Sequence, residues 1–160
     1  MIFKQITLIN PNHRLTADPT TKMILPPLGL AYLAAALEKK GLGVAILDAN
    51  AQDLTPAQTA RKALAQKPTL IGLSAVTNTI KEAWRIARLI KKKKDIPIVL
   101  GGVHPTILPK NLSKKTLLTW SSGARQKSVW LNSPPESQKP KSLVFLLKKV
   151  KKSSTILRPL

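Results

Sequence analysis

Two short apolar runs that stop abruptly at small or polar residues constrain this chain more than any other feature. Thr69 to Thr77 reads T-L-I-G-L-S-A-V-T, and Ile96 to Thr106 reads I-P-I-V-L-G-G-V-H-P-T. Continuous aliphatic runs of this length, bounded by glycine and hydroxyl residues, are what strands buried on both faces of a parallel sheet look like. Each run delivers a loop to the rim outside the carboxyl ends of the strands, where open α/β sheets bind their ligands. These loops are expected to receive a large ligand.

The rest of the chain alternates in the same way. Phe3 to Ile9 predicts a first strand, and Asn10 to Thr21 a polar loop. From Pro27 onward, Leu30, Leu33, Ala34 and Leu37 fall at helical spacing, with Gly41 as the C-terminal cap. Val44 to Leu47 predicts a second strand, ending at Asp48-Ala49-Asn50, and Thr55-Pro56 starts a helix that runs to about Gln66. Leu70 to Leu73 is a third strand. Thr77 or Asn78 caps a third helix, which carries Ile80, Trp84, Ile86, Ala87 and Ile90 and ends in Lys91 to Lys94. Ile96 to Leu100 is a fourth strand, and Thr106 or Asn111 opens a further helix. The order β-α-β-α-β-α-β, with connections long enough for right-handed crossovers, defines an α/β doubly wound parallel sheet. A flavodoxin-like (Rossmann-like) version adds a fifth strand and a last helix. The tail from Thr116 supplies neither clearly, although Ser142 to Val150 suits a short strand or an amphipathic helix.

Composition narrows the chemistry. A length of 160 residues predicts one domain, and 43% hydrophobic content with only 4% aromatics predicts a core of aliphatics and alanine. The absence of cysteine excludes disulfides, zinc-thiolate sites and a cysteine-ligated iron–sulfur cluster within the chain. Met1 to Asn10 reads as a strand and not as a signal peptide. No apolar run reaches the roughly 18 residues of a membrane span, because Pro26, Pro27 and Gly29 interrupt Leu25 to Leu37. No membrane association and a cytoplasmic location are expected. The net charge of +20 is unevenly spread. Residues 1–112 hold 16 basic and 6 acidic residues, whereas residues 113–160 hold 11 and 1, doubling the density of net positive charge. The chain therefore divides into an α/β domain, residues 1–115, and a basic tail, residues 116–160.

The rim loops hold the candidate site residues. Gly101-Gly102 directly after a strand allows a tight turn or close approach of a ligand to the backbone. Ser74 and Thr77 place hydroxyls after the third strand, where Thr77 also suits N-capping. Asp48 stands where a dinucleotide fold holds a ribose, but N-P-N-H-R after the first strand contains no G-x-G-x-x-G, and no Walker loop is present. His13 and His104 are the two histidines, too few for a metal ligand set without a carboxylate cluster.

Four stretches taken together resemble a known family. They are P-P-L-G-L-A-Y-L-A-A-A-L-E (Pro26–Glu38), L-D-A-N (Leu47–Asn50), I-G-L-S-A-V-T (Ile71–Thr77) and I-V-L-G-G-V-H-P-T (Ile98–Thr106). In this order and spacing they resemble the N-terminal cobalamin-binding domain of cobalamin-dependent radical S-adenosylmethionine enzymes, over about residues 1–115. The resemblance implies a flavodoxin-like sheet of order 2-1-3-4-5, with cobalamin (vitamin B12) as cofactor and its nucleotide tail in a crevice at the rim. It implies that Ser74 and Thr77 line the tail pocket and that Gly101 and Gly102 leave room for the benzimidazole. Pro26, Pro27, Leu28 and Gly29 would approach the corrin. Asn50, Val76 and His104, within the same motifs, join the implied cofactor-binding residues. The D-x-H-x-x-G motif that supplies a histidine to cobalt in methionine synthase-type domains is missing, so His13 is not expected to bind cobalt, and no metal ligand is assigned.

The tail carries a separate expectation. Where the family has a fifth strand resembling D-x-V-V-R-G-E, Leu118–Arg125 reads L-T-W-S-S-G-A-R. Codons for that stretch, read one base earlier, permit A-D-L-V-V-R-G-E, and those of Phe145–Arg158 permit I-S-F-K-K-G-K-K-I-V-H-N-P-P. A single-base insertion or deletion near Thr116–Leu118 would account for both, leaving residues 117–160 unselected for folding. On that reading the chain is a cobalamin-holding fragment without the family's radical catalytic domain, and it performs no catalysis alone. Two alternatives differ in class. A small basic nucleic-acid-binding protein is suggested by the charge of the tail. A phosphoacceptor receiver domain shares the fold but needs acids where this chain has Asn10 and Ser74.

Overall fold

In the computed structural model, which describes residues 4–13, 24–107 and 118–119, all strands run parallel in one sheet. They are β1 (Gln5–Asn10), β2 (Gly43–Asp48), β3 (Leu70–Ser74), β4 (Ile98–Gly101) and the two-residue β5 (Leu118–Thr119), in the order β2-β1-β3-β4-β5. Helices α1 (Leu28–Glu38), α2 (Pro56–Ala65), α3 (Ile80–Lys93) and α4 (Val103–Ile107) alternate with them. This is the doubly wound flavodoxin-like architecture that the strand patterns predict.

Side chains of successive strand residues point to opposite faces, so each of β1 to β4 feeds two cores. On one face Ile9, Leu47, Ile71, Leu73, Ile98 and Leu100 pack with Ala60 and Ala63 of α2 and with Ala83, Ile86, Ala87 and Ile90 of α3. On the other, Ile6, Leu8 and Leu70 pack with Ala34 and Leu37 of α1. Small alanines on α2 and α3 let the helices lie close to the aliphatic sheet, which is how so few aromatics suffice. The outward side of α1 is apolar too, with Leu28 and Tyr32 exposed.

The helix ends follow local chemistry. Thr55 Oγ1 accepts from Gln58 N–H at 3.3 Å, and Gln58 Oε1 accepts from Thr55 N–H at 2.9 Å, closing a capping box with Pro56 in the first turn. Gly41 ends α1 with φ +75°, while Leu42 N–H donates to Leu37 O at 3.3 Å and Gly41 N–H to Glu38 O at 2.7 Å. That is a Schellman motif, sealed by Leu42 against the core that holds Leu37.

Three boundaries depart from the sequence expectation. First, Thr79 and not Thr77 or Asn78 is the cap residue of α3. Val76 to Thr79 form an extra turn, in which Thr79 N–H donates to Val76 O at 3.0 Å and Thr79 Oγ1 accepts from Val76 N–H at 3.0 Å. Second, α4 begins at Val103 rather than at Thr106 or Asn111, because Gly102 turns the chain immediately after β4 with φ +109°. Third, a fifth strand exists: Leu118 and Thr119 pair with Val99 and Leu100. It lies at the start of the stretch that the family resemblance assigns to this strand. The other tail expectations, from Trp120 onward, lie outside the described residues, as do Phe3 and Asn111. No helix among the described residues is long and apolar enough to cross a membrane.

Candidate functional site

Strand register lines up two rows of residues across the sheet. Asn10 pairs with Asp48 and Ser74 with Gly101, and Ile9 opposite Leu73 brings Asn10 beside Ser74. The outermost row therefore runs Asp48, Asn10, Ser74, Gly101 across β2, β1, β3 and β4. Two residues inward the row is Ile46, Leu8, Gly72, Val99. Leu8 and Val99 belong to the core beside α1, so both rows face that helix.

The two glycines, one in each row, open the sheet surface. A cleft of about 360 Å³ lies there, within the usual range for ligand pockets. Leu8, Gly72 and Val99 form its floor, Leu30 and Leu33 of α1 its wall, and Asn10, Ser74, Gly101 and Gly102 its rim. Pro27 and Gly29 flank it at the start of α1. A Cβ built on Gly72 would come within 2.7 Å of Leu8 Cδ2. Glycine inside a strand normally weakens it, so close approach by another group is its physical justification here.

The polar side of the rim is fixed by Asp48. Its Oδ1 accepts from Asn10 Nδ2 at 3.0 Å, from Asn50 N–H at 3.0 Å and from Ala51 N–H at 3.1 Å. Asp48 thus organises the turn after β2, an occupation that competes with the ribose-binding role the same position has in dinucleotide folds. Asn50 is buried with its Oδ1 unpartnered in the structure.

The two loops beyond β3 and β4 are stitched through Ala75. Its N–H donates to Gly101 O at 2.8 Å, and its carbonyl accepts from His104 N–H at 3.2 Å. A Cβ on Gly102 would meet Ala75 O at 2.6 Å, so this glycine has a structural reason of its own in addition to lining the cleft. His104 Nδ1 lies 3.3 Å from Thr77 Oγ1, and the imidazole is nearly buried.

Of the residues expected from the sequence, Pro27, Gly29, Ser74, Gly101 and Gly102 are brought together around the cleft. Pro26 and Leu28 are exposed beside it at the start of α1. Thr77, in the loop after β3, pairs with His104 of α4, Val76 is exposed in the same loop, and Asn50 stands in the turn that Asp48 organises. Leu8, Asn10, Gly72 and Val99 were not singled out by the sequence. The isolated glycine in L-I-G-L-S was the available signal for Gly72. Asn10 could be found only through its register with Ser74. No group of three or more His, Cys, Asp or Glu among the described residues is placed to hold a metal ion.

A doubly wound sheet with an apolar slot at the carboxyl ends of its central strands defines a ligand-holding α/β domain. Comparison with known proteins says which one. The family model described as B12 binding domain matches residues 18–119, and the chain belongs to that family. Its cofactor is cobalamin, and the chemistry of the cleft is compatible with it: Leu8, Leu30, Leu33 and Val99 supply apolar surface, and Asn10 and Ser74 supply polar groups at the rim.

Among relatives, an uncharacterized methyltransferase from Pyrococcus horikoshii is 35% identical over 85 residues, 52% of this chain and 18% of that protein. An anaerobic magnesium-protoporphyrin IX monomethyl ester cyclase from Rubrivivax gelatinosus is 36% identical over 106 residues, 65% of this chain and 19% of that protein. The radical S-adenosylmethionine methyltransferase TsrM from Kitasatospora setae, solved with cobalamin and a 4Fe–4S cluster bound, has the same fold, with a TM-score of 0.55 and 24% identity. That match covers 68% of this chain and 20% of TsrM. The chain thus spans about a fifth of the length of each of these proteins.

Proposed function

We propose that this chain holds cobalamin at the carboxyl edge of its sheet, as the corrinoid-carrying part of a radical S-adenosylmethionine-type enzyme, and performs no catalysis by itself. The observation that carries this reading is the gap over Gly72 and Gly101, bordered by Asn10 and Ser74. A cleft of about 360 Å³ suits one arm of a corrinoid and not the whole molecule. The nucleotide tail with its flat base would enter it, between Leu8, Val99 and the Leu30–Leu33 side of α1. The corrin would remain outside at the rim, near Pro26, Pro27, Leu28 and Gly29.

The chain's own residues bind and orient. Leu8, Val99, Leu30 and Leu33 exclude water from the apolar base. Ser74 offers a hydroxyl that both donates and accepts. Ala75 ties the loops of Ser74 and Gly101 together, and the Thr77–His104 pair braces Val76 and its neighbours beside the opening. When bound, cobalamin supplies organocobalt chemistry, which belongs to the metal. These 160 residues include no cysteine with which to ligate an iron–sulfur cluster, so they would not themselves supply the radical chemistry. The charge-based nucleic-acid alternative rests on the basic tail, of which only residues 118–119 are described.

Titrating the full chain with hydroxocobalamin tests the proposal. Insertion of the tail would separate its base from cobalt and shift the visible bands, with micromolar affinity, and cobalamin would co-elute in gel filtration. An unchanged spectrum with no co-elution would overturn it.

A further inference from the structure

We infer that Asn10 is a specificity-determining residue of the cleft and that Asp48 is its positioning residue. Together they present a hydrogen-bond acceptor to a neutral N–H or O–H donor on the ligand's edge. The inference rests on the corrinoid reading above and adds to it which ligand group the β1 side of the rim recognises.

Hydrogen-bond chemistry settles the orientation of the Asn10 amide. Asp48 Oδ1 already accepts two backbone N–H groups, from Asn50 at 3.0 Å and Ala51 at 3.1 Å, so it is held in place as an acceptor. The Asn10 atom 3.0 Å from it must be the donating Nδ2, because an amide oxygen there would oppose one acceptor with another. What Asn10 has left for the cleft it lines is Oδ1, an acceptor, and the second hydrogen of Nδ2. Beside it in the rim row stands Ser74, whose hydroxyl donates or accepts.

Two consequences follow for the ligand. An acceptor backed by a carboxylate attracts an N–H donor and disfavours an anion, so a phosphate would not sit at this side of the rim. A primary amide suits the Asn10–Ser74 pair, its NH₂ donating to Asn10 and its oxygen accepting from Ser74. The corrin ring carries such amides around its edge.

The test compares two ligands on two proteins. The full chain and Asn10→Ala are titrated with cobalamin and with the separated cobalamins in which one peripheral amide has been hydrolysed to a carboxylate. Unaltered protein is expected to bind at least one acid form about tenfold more weakly than cobalamin, and Asn10→Ala to lose that discrimination. Asp48→Asn keeps an oxygen for the two backbone N–H groups and for Asn10, so it should retain the preference for the amide. Asp48→Ala frees the amide to rotate and should blunt it. A urea midpoint measured on each variant separates folding from recognition.

Equal weakening of amide and acid forms in Asn10→Ala would assign the residue a structural role and overturn the inference. Unaltered protein that binds all forms alike would do the same while leaving the corrinoid reading intact. Failure of unaltered protein to bind any corrinoid would sink both.

Discussion

Gly72 and Leu8 face each other across β3 and β1, and a Cβ on Gly72 would stand 2.7 Å from Leu8 Cδ2. The floor of the cleft exists because one partner of this pair has no side chain. Gly72→Val should fill the slot and weaken cobalamin binding by about ten- to a hundredfold. Leu8 is buried and must be displaced by the new group, so stability should fall as well, by about 1–3 kcal/mol. Parallel titration and urea unfolding check both halves. Unchanged affinity would show that the ligand does not enter over Gly72.

Gly102 and Gly29 both line the cleft but for different reasons. At Gly102 φ is +109° and a Cβ would press on the Ala75 carbonyl, whereas nothing lies within 4 Å of a Cβ on Gly29. Gly102→Ala should therefore destabilise the chain by about 2 kcal/mol or more. Gly29→Ala, in the first turn of α1, should stabilise it by up to about 1 kcal/mol. If the corrin approaches Gly29, that same variant should bind cobalamin less tightly. Thermal unfolding with and without cobalamin resolves these outcomes.

The capping box at the start of α2 is testable without ligand. Thr55→Ala removes the acceptor for Gln58 N–H and should cost about 1 kcal/mol in urea unfolding. α2 supports the core opposite the cleft, so cobalamin affinity should be unchanged once folding is allowed for.

The exposed pair at the end of α3 makes a pH prediction. A hydrogen bond from Lys91, followed by its charge, holds Asp95 below its ordinary value near 3.8. A carboxylate depressed on folding stabilises above its unfolded pKa, and this contribution is lost as pH falls through the folded value. Asp95→Asn should therefore differ slightly from the unaltered chain at neutral pH and not in strong acid. The difference should shrink with added salt, since the carboxylate is fully exposed. A difference that grew on acidification would contradict the sign.

The legible parts of this protein were those governed by neighbours in sequence. Aliphatic runs ending at Ser74 and Gly101 marked buried strands, because a strand covered on both faces cannot alternate. Thr55-Pro56 and Gly41 marked helix ends, because capping is satisfied within four or five residues. The spacing of the four motifs named the family. The cap of α3 was misplaced because Val76 and Thr79 close a turn that local propensity does not distinguish from the start of a helix. Strand five, two residues long, left too short a pattern to read.

What the tertiary structure alone decided was which residues share the slot. Register between β1 and β3 sets Asn10 beside Ser74 and Leu8 beside Gly72, residues more than 60 positions apart. It also gave Gly102 its contact with Ala75 and joined His104 to Thr77. The sequence set the period of the longer elements and the ends of α1 and α2. The pairing of strands depends on how helices pack over both faces of the sheet, which no local pattern encodes.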